Sequence, residues 1–84
     1  MIRVNTIDDD PREGWSCTRN VYAMGDELFI VCQTTIGEHK HTSVNACVED
    51  AGASVGYEFT SQMLLIEPPI TDARALELAL ELRG

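Results

Sequence analysis

The arms "WSCTRNVYAM" (15–24) and "ELFIVCQTTI" (27–36) stand either side of Gly25 and Asp26, and the reading of this stretch decides the fold. Both arms are rich in aromatic, β-branched and apolar residues, the types that suit a pleated, half-buried surface. A Gly-Asp pair between two such arms is tight-turn chemistry, so the stretch predicts a β-hairpin. In the second arm Leu28, Ile30 and Cys32 share one face while Phe29, Val31 and Gln33 share the other. Both faces are apolar at its centre, which predicts a central strand.

Working toward the N-terminus, "MIRVNTI" alternates, with Ile2, Val4 and Thr6 on one side and Arg3, Asn5 and Ile7 on the other, as a half-buried strand does. The following "DDDPREG" (8–14) predicts a loop, because Asp side chains bond their own backbone, Pro11 fixes φ and Gly14 permits a reversal. Toward the C-terminus, "TSVNACVEDAG" (42–52) reads two ways. Val44, Cys47, Val48 and Ala51 make a helical stripe, whereas Val44, Ala46 and Val48 alternate as in a strand. The strand is preferred, since it extends the hairpin into a meander continuing through "SVGYEFTSQMLLIEP" (54–68), where Val55, Tyr57 and Phe59 alternate.

Pro68 and Pro69 supply no backbone donors and end that strand. "TDARALELALELRG" then predicts a helix over 72–83, with Thr71 as N-cap, Asp72 at the positive end of the dipole and Arg83 at the negative end. At 100° per residue Leu78, Leu82, Ala75, Ala79, Leu76, Leu80 and Ala73 fill a broad apolar arc opposite Arg74, Glu77 and Glu81. The arc is wider than one sheet face requires. Leu78, Leu80 and Leu82 are therefore the candidate interface for a second copy of the chain in a homodimer. The expected fold is a single compact α+β domain over 1–84, a meander-like antiparallel sheet of four or five strands covered on one face by one C-terminal helix.

With 44% hydrophobic and 24% charged residues, the chain has ordinary globular usage. No apolar run approaches the roughly 20 residues of a membrane helix, and the N-terminal stretch turns acidic without a signal-like apolar run, so a cytoplasmic setting is expected. Fourteen acidic residues against six basic ones argue against direct binding to nucleic-acid phosphates. Cys17, Cys32 and Cys47 have neither an even count nor a CxxC spacing, and buried reduced thiols are expected.

Candidate chemistry is sparse. His39 and His41 in "GEHKHTS" share a face if the segment is extended, and with Cys47 they form the candidate set for the alternative reading, a small ligand- or metal-binding domain or an enzyme subunit. A second ligand pair is missing, so no metal or cofactor is expected. Cys47 with His41, or Cys32 with His39, would be the nucleophile–base pairs, but apolar or acidic neighbours raise a thiol pKa and disfavour that chemistry. The pairs Asp8 with Asp10 and Glu49 with Asp50 lack a burial that would shift one carboxyl toward neutral pH. "DDD" does not follow the alternating ligand pattern of a calcium loop, and no glycine-rich phosphate cradle is present. The chain is not expected to be an enzyme.

What remains is the acidic surface. Asp8, Asp9, Asp10 and Glu13 are the first candidate partner-binding residues, and Asp26 and Glu27 the second. Such carboxylates dock on Lys and Arg clusters, so the expected partner is a basic protein surface, in the sharpest case that of a nucleic-acid-binding complex. In size and charge alone, with no shared motif, the chain resembles phage-encoded inhibitors of host nucleic-acid machinery, such as anti-CRISPR proteins and DNA mimics.

Overall fold

A computed structural model of the chain describes the backbone of residues 2–12 and 14–83, and the side chains of residues 2–8 and 14–82. The hairpin at Gly25 forms as expected: β2 (Trp15–Met24) pairs antiparallel with β3 (Glu27–Ile36), and Met24 faces Glu27 across a two-residue turn. Gly25 has φ +63° and no non-glycine among the described residues has positive φ, so the turn is of the II′ kind, which matches strand twist. Gly37, at φ +61°, makes a second such turn that joins β3 to β4 (His39–Glu49). Residues 42–49 are thus strand, and "HKH" lies on β4, extended, so that His39 and His41 share a face.

The strand β1 (Ile2–Arg12) corrects the loop expected at 8–14 over residues 8–12, because its ladder with β2 continues to Arg12 opposite Trp15, while Gly14, at φ +74°, makes the expected reversal. Turn propensity loses here to pairing. β1 is an edge strand, so only one side of its backbone needs partners, and the register shifts between Asp9 and Arg12 to absorb Pro11. A second shift, between Arg3 and Asn5, lets the edge bend.

The single strand expected over 54–66 is instead two short ones, β5 (Tyr57–Phe59) and β6 (Leu64–Ile66), both pairing with β4. Among the described residues the sheet is the expected antiparallel meander, five strands in the order β1-β2-β3-β4-β5, with the short β6 as a sixth that also pairs with β4. Between them the chain bulges out over 60–63. Ser61 replaces the missing ladder partner: the Ala46 N–H donates to its Oγ at 2.9 Å and Asn45 Nδ2 donates to its carbonyl at 3.2 Å.

Helix α1 (Asp72–Arg83) occupies the expected span, and the Arg74 N–H donates to the Thr71 Oγ1 cap at 3.2 Å. It covers one sheet face, burying Ala75, Leu76 and Ala79 against Tyr22, Phe29, Val31 and Val44. The opposite face carries no helix, yet Val21 and Ile30 there are 0% and 2% exposed. The sheet curls to bury them. Ile7 of β1 and Tyr57 of β5, on the two edges, close over Val21, Ile30 and Cys47, and Asn5 Nδ2 donates to the Tyr57 hydroxyl at 3.3 Å. Among the described residues no backbone ladder joins β1 to β5, so the sheet is a half-closed trough with the helix on its convex side.

Candidate functional site

Two of the concavities among the described residues bear on function. The larger is a groove of about 890 Å³ between the C-terminal half of α1 and the 60–63 bulge. Its lining includes Phe29, Val44, Val48, Leu64, Ala79 and Leu82, together with Asp26, Glu27 and Glu49. Both the bulge and the II′ turn are needed to build it. The bulge holds Gln62 and Met63 away from β4 as a wall, and the turn sets Asp26 and Glu27 at the same sheet end as Glu49. Asp26, Glu27 and Glu49 are all exposed, and Glu58 pairs with Val48 one residue further along β4. Carboxylates spaced within a Debye length of roughly 8 Å produce a field that a partner senses. Leu82, in the last turn of α1, contributes an exposed apolar side chain to the groove lining.

The acidic residues named from the sequence are divided by the fold. Asp8 pairs with Thr18, six residues along β2 from Met24 at the Asp26 turn, which at about 3.3 Å per residue separates the two acidic groups by about 20 Å. Glu13 and the side chains of Asp9 and Asp10 lie outside the described residues. The groove therefore gathers Asp26 and Glu27 with Glu49, and leaves Asp8 at the other end.

The smaller concavity, about 250 Å³, lies on the trough side near the Gly37 turn and is lined by Trp15, Cys17, Cys32, Thr34, His41 and Asn45 among others. Among the described residues no group of three His, Cys, Asp or Glu side chains converges as a metal set. His39 and His41 share the trough side, but Cys47 lies six residues further along β4 from His41, about 20 Å away. Burial pushes the Cys47 thiol up, and burial followed by the contact with Cys32 pushes Cys17 up to about 11, so neither is a ready thiolate.

A third constellation was not legible as such. Asp72, read from the sequence as a dipole partner, accepts from Asn20 Nδ2 at 2.9 Å, Gln33 Nε2 at 2.9 Å and the Tyr22 hydroxyl. Thr42, fully buried, donates to Gln33 Oε1 at 2.7 Å and accepts from the Ile70 N–H at 3.0 Å. Burial raises the Asp72 pKa, but the bonds from Tyr22, Gln33 and Asn20 outweigh it and hold the carboxyl below its usual range. Tyr22 is pushed up to about 12, by burial first and then by its bond to Asp72. Among the described residues no buried side-chain nitrogen or oxygen lacks a partner, and the network acts as a polar clamp that fixes the helix start on β2 and β3.

On the helix, Leu78 is half-buried, while Leu80 and Leu82 are 40% and 71% exposed. The apolar arc does exceed what the sheet covers. No helix among the described residues is long and apolar enough to cross a membrane. Comparison of the chain with protein-family models, curated proteins and solved structures finds no match.

Proposed function

We propose that the protein is a non-enzymatic, acidic protein-binding domain whose groove at the Asp26 end takes a basic, partly apolar segment of a partner. The observation that carries this reading is the pairing of an apolar floor with Asp26 and Glu27 along the same groove, with Glu49 at its rim on the opposite face of β4. An apolar floor alone accepts many surfaces. Carboxylates beside it select a segment that presents Lys or Arg next to Leu- or Phe-like side chains, such as one face of a basic amphipathic helix. A partner whose basic surface otherwise holds nucleic acid would be blocked by such docking, which is the inhibitory form of the same activity.

The test uses a labelled amphipathic peptide of alternating Lys and Leu turns, read by fluorescence anisotropy against the full chain. Binding should weaken steeply as salt rises, and a peptide with Gln in place of Lys should bind at least tenfold less well. The Asp26→Asn, Glu27→Gln, Glu49→Gln triple variant should lose affinity with the fold retained. Loss of affinity from Asp8→Asn, Asp9→Asn and Asp10→Asn instead would move the interface to the opposite sheet end and overturn the groove assignment.

A further inference from the structure

We propose that Cys17 and Cys32 form a reversible dithiol–disulfide couple, a covalent modification site on the trough side of the sheet whose co-reactant is a low-molecular-weight disulfide. The hairpin register sets Cys17 opposite Thr34 and Arg19 opposite Cys32, so the two cysteines are diagonal neighbours on one face of adjacent strands. Their sulfur atoms stand 2.6 Å apart as free thiols, closer than the roughly 3.5–4.0 Å preferred by unbonded heavy atoms. The Thr34 hydroxyl bridges the pair, 3.2 Å from Cys32 Sγ and donating to Cys17 Sγ at 3.5 Å.

Access fixes the order of events. Cys17 is 4% exposed, whereas Cys32 is half-buried and both line the smaller concavity of about 250 Å³. The Cys32 thiolate attacks one sulfur of the small disulfide RSSR, forming a mixed disulfide and releasing RS⁻, which takes up a proton. Cys17 then loses its proton and attacks Cys32 Sγ, expelling the second RS⁻. The sum converts two protein thiols and RSSR into one protein disulfide and two RSH. A buried, high-pKa Cys17 is a poor first nucleophile, but at contact distance it resolves the mixed disulfide by an intramolecular step. Cys47 takes no part, because it lies four residues along β4 from the partner of Cys32, about 13 Å away.

The full chain, fully reduced, is incubated with glutathione disulfide at neutral pH under native conditions. It is then denatured and alkylated, and its mass and peptides are measured. The three alkylatable thiols should fall to one, located at Cys47, with no glutathione retained. Cys47→Ser should still lose two thiols, and Cys17→Ser should retain one glutathione at Cys32. Three alkylated thiols after oxidation, a disulfide that contains Cys47, or glutathione persisting on wild-type Cys32 would each overturn the assignment. The decisive reading comes from the wild-type chain, so it does not depend on whether a variant folds.

Discussion

Replacing Asp72 with Asn keeps size and one acceptor oxygen while removing the charge on which three donors converge. A hydrogen bond to a charged group contributes about 1.5–3 kcal/mol and a neutral one about 0.5–1.5 kcal/mol. The three bonds are not additive, and a partly exposed site lets water recover part of the loss, so the expected cost of Asp72→Asn is about 2 kcal/mol at pH 7. In a domain of this size that lowers Tm by on the order of 10 °C. The carboxyl titrates below its usual range in the folded chain, so its contribution is fully present above the unfolded value of about 3.9 and is lost as pH falls through the folded value. Urea unfolding followed by Trp15 fluorescence, repeated from pH 8 down to pH 3, should show a constant gap between wild type and variant that begins to narrow below about pH 4. A double-mutant cycle with Tyr22→Phe should give a coupling of about 1 kcal/mol or more. A gap under about 0.5 kcal/mol at neutral pH, or one equally wide at pH 3, would refute the clamp.

Leu76→Ala, at a position 2% exposed beneath the helix, should cost about 2–5 kcal/mol in the same unfolding assay, since the rigid sheet below cannot collapse into the space. Leu80→Lys with Leu82→Lys should change stability by less than about 0.5 kcal/mol. If the exposed helix margin holds a second copy, light scattering should show the wild-type mass falling toward the monomer in that variant. A wild-type chain that is monomeric at high concentration removes the dimer reading. His39→Ala should leave unfolding within about 0.5 kcal/mol of wild type, and added zinc should not raise Tm. A zinc-dependent rise lost in that variant would show that the histidine ligates a metal.

The sequence determined the elements whose signals are local. Gly25 with Asp26 fixed the central hairpin, because a II′ turn has one register, and Thr71 with the apolar 3.6-residue spacing fixed the helix to its observed span. That same register already implies Cys17 and Cys32 as same-face neighbours, since residues whose numbers sum to 51 pair across the turn. Local chemistry misled at "DDDP", where an edge strand tolerates acids and proline that a central strand would reject. It was silent on the bulge at 60–63, which depends on Ser61 finding Ala46 and Asn45 some fifteen residues away. Only the tertiary structure decided which acids share a surface. Curl, strand order and helix placement are set by contacts between distant segments, Asn5 with Tyr57 and Asp72 with Asn20, Tyr22 and Gln33. Each such contact is favourable only once the chain between has been ordered, so no window of sequence encodes it alone. For this reason Asp26 and Glu27 could be named from the sequence as acids, while the groove that gives them an apolar floor and Glu49 for company belongs to the fold.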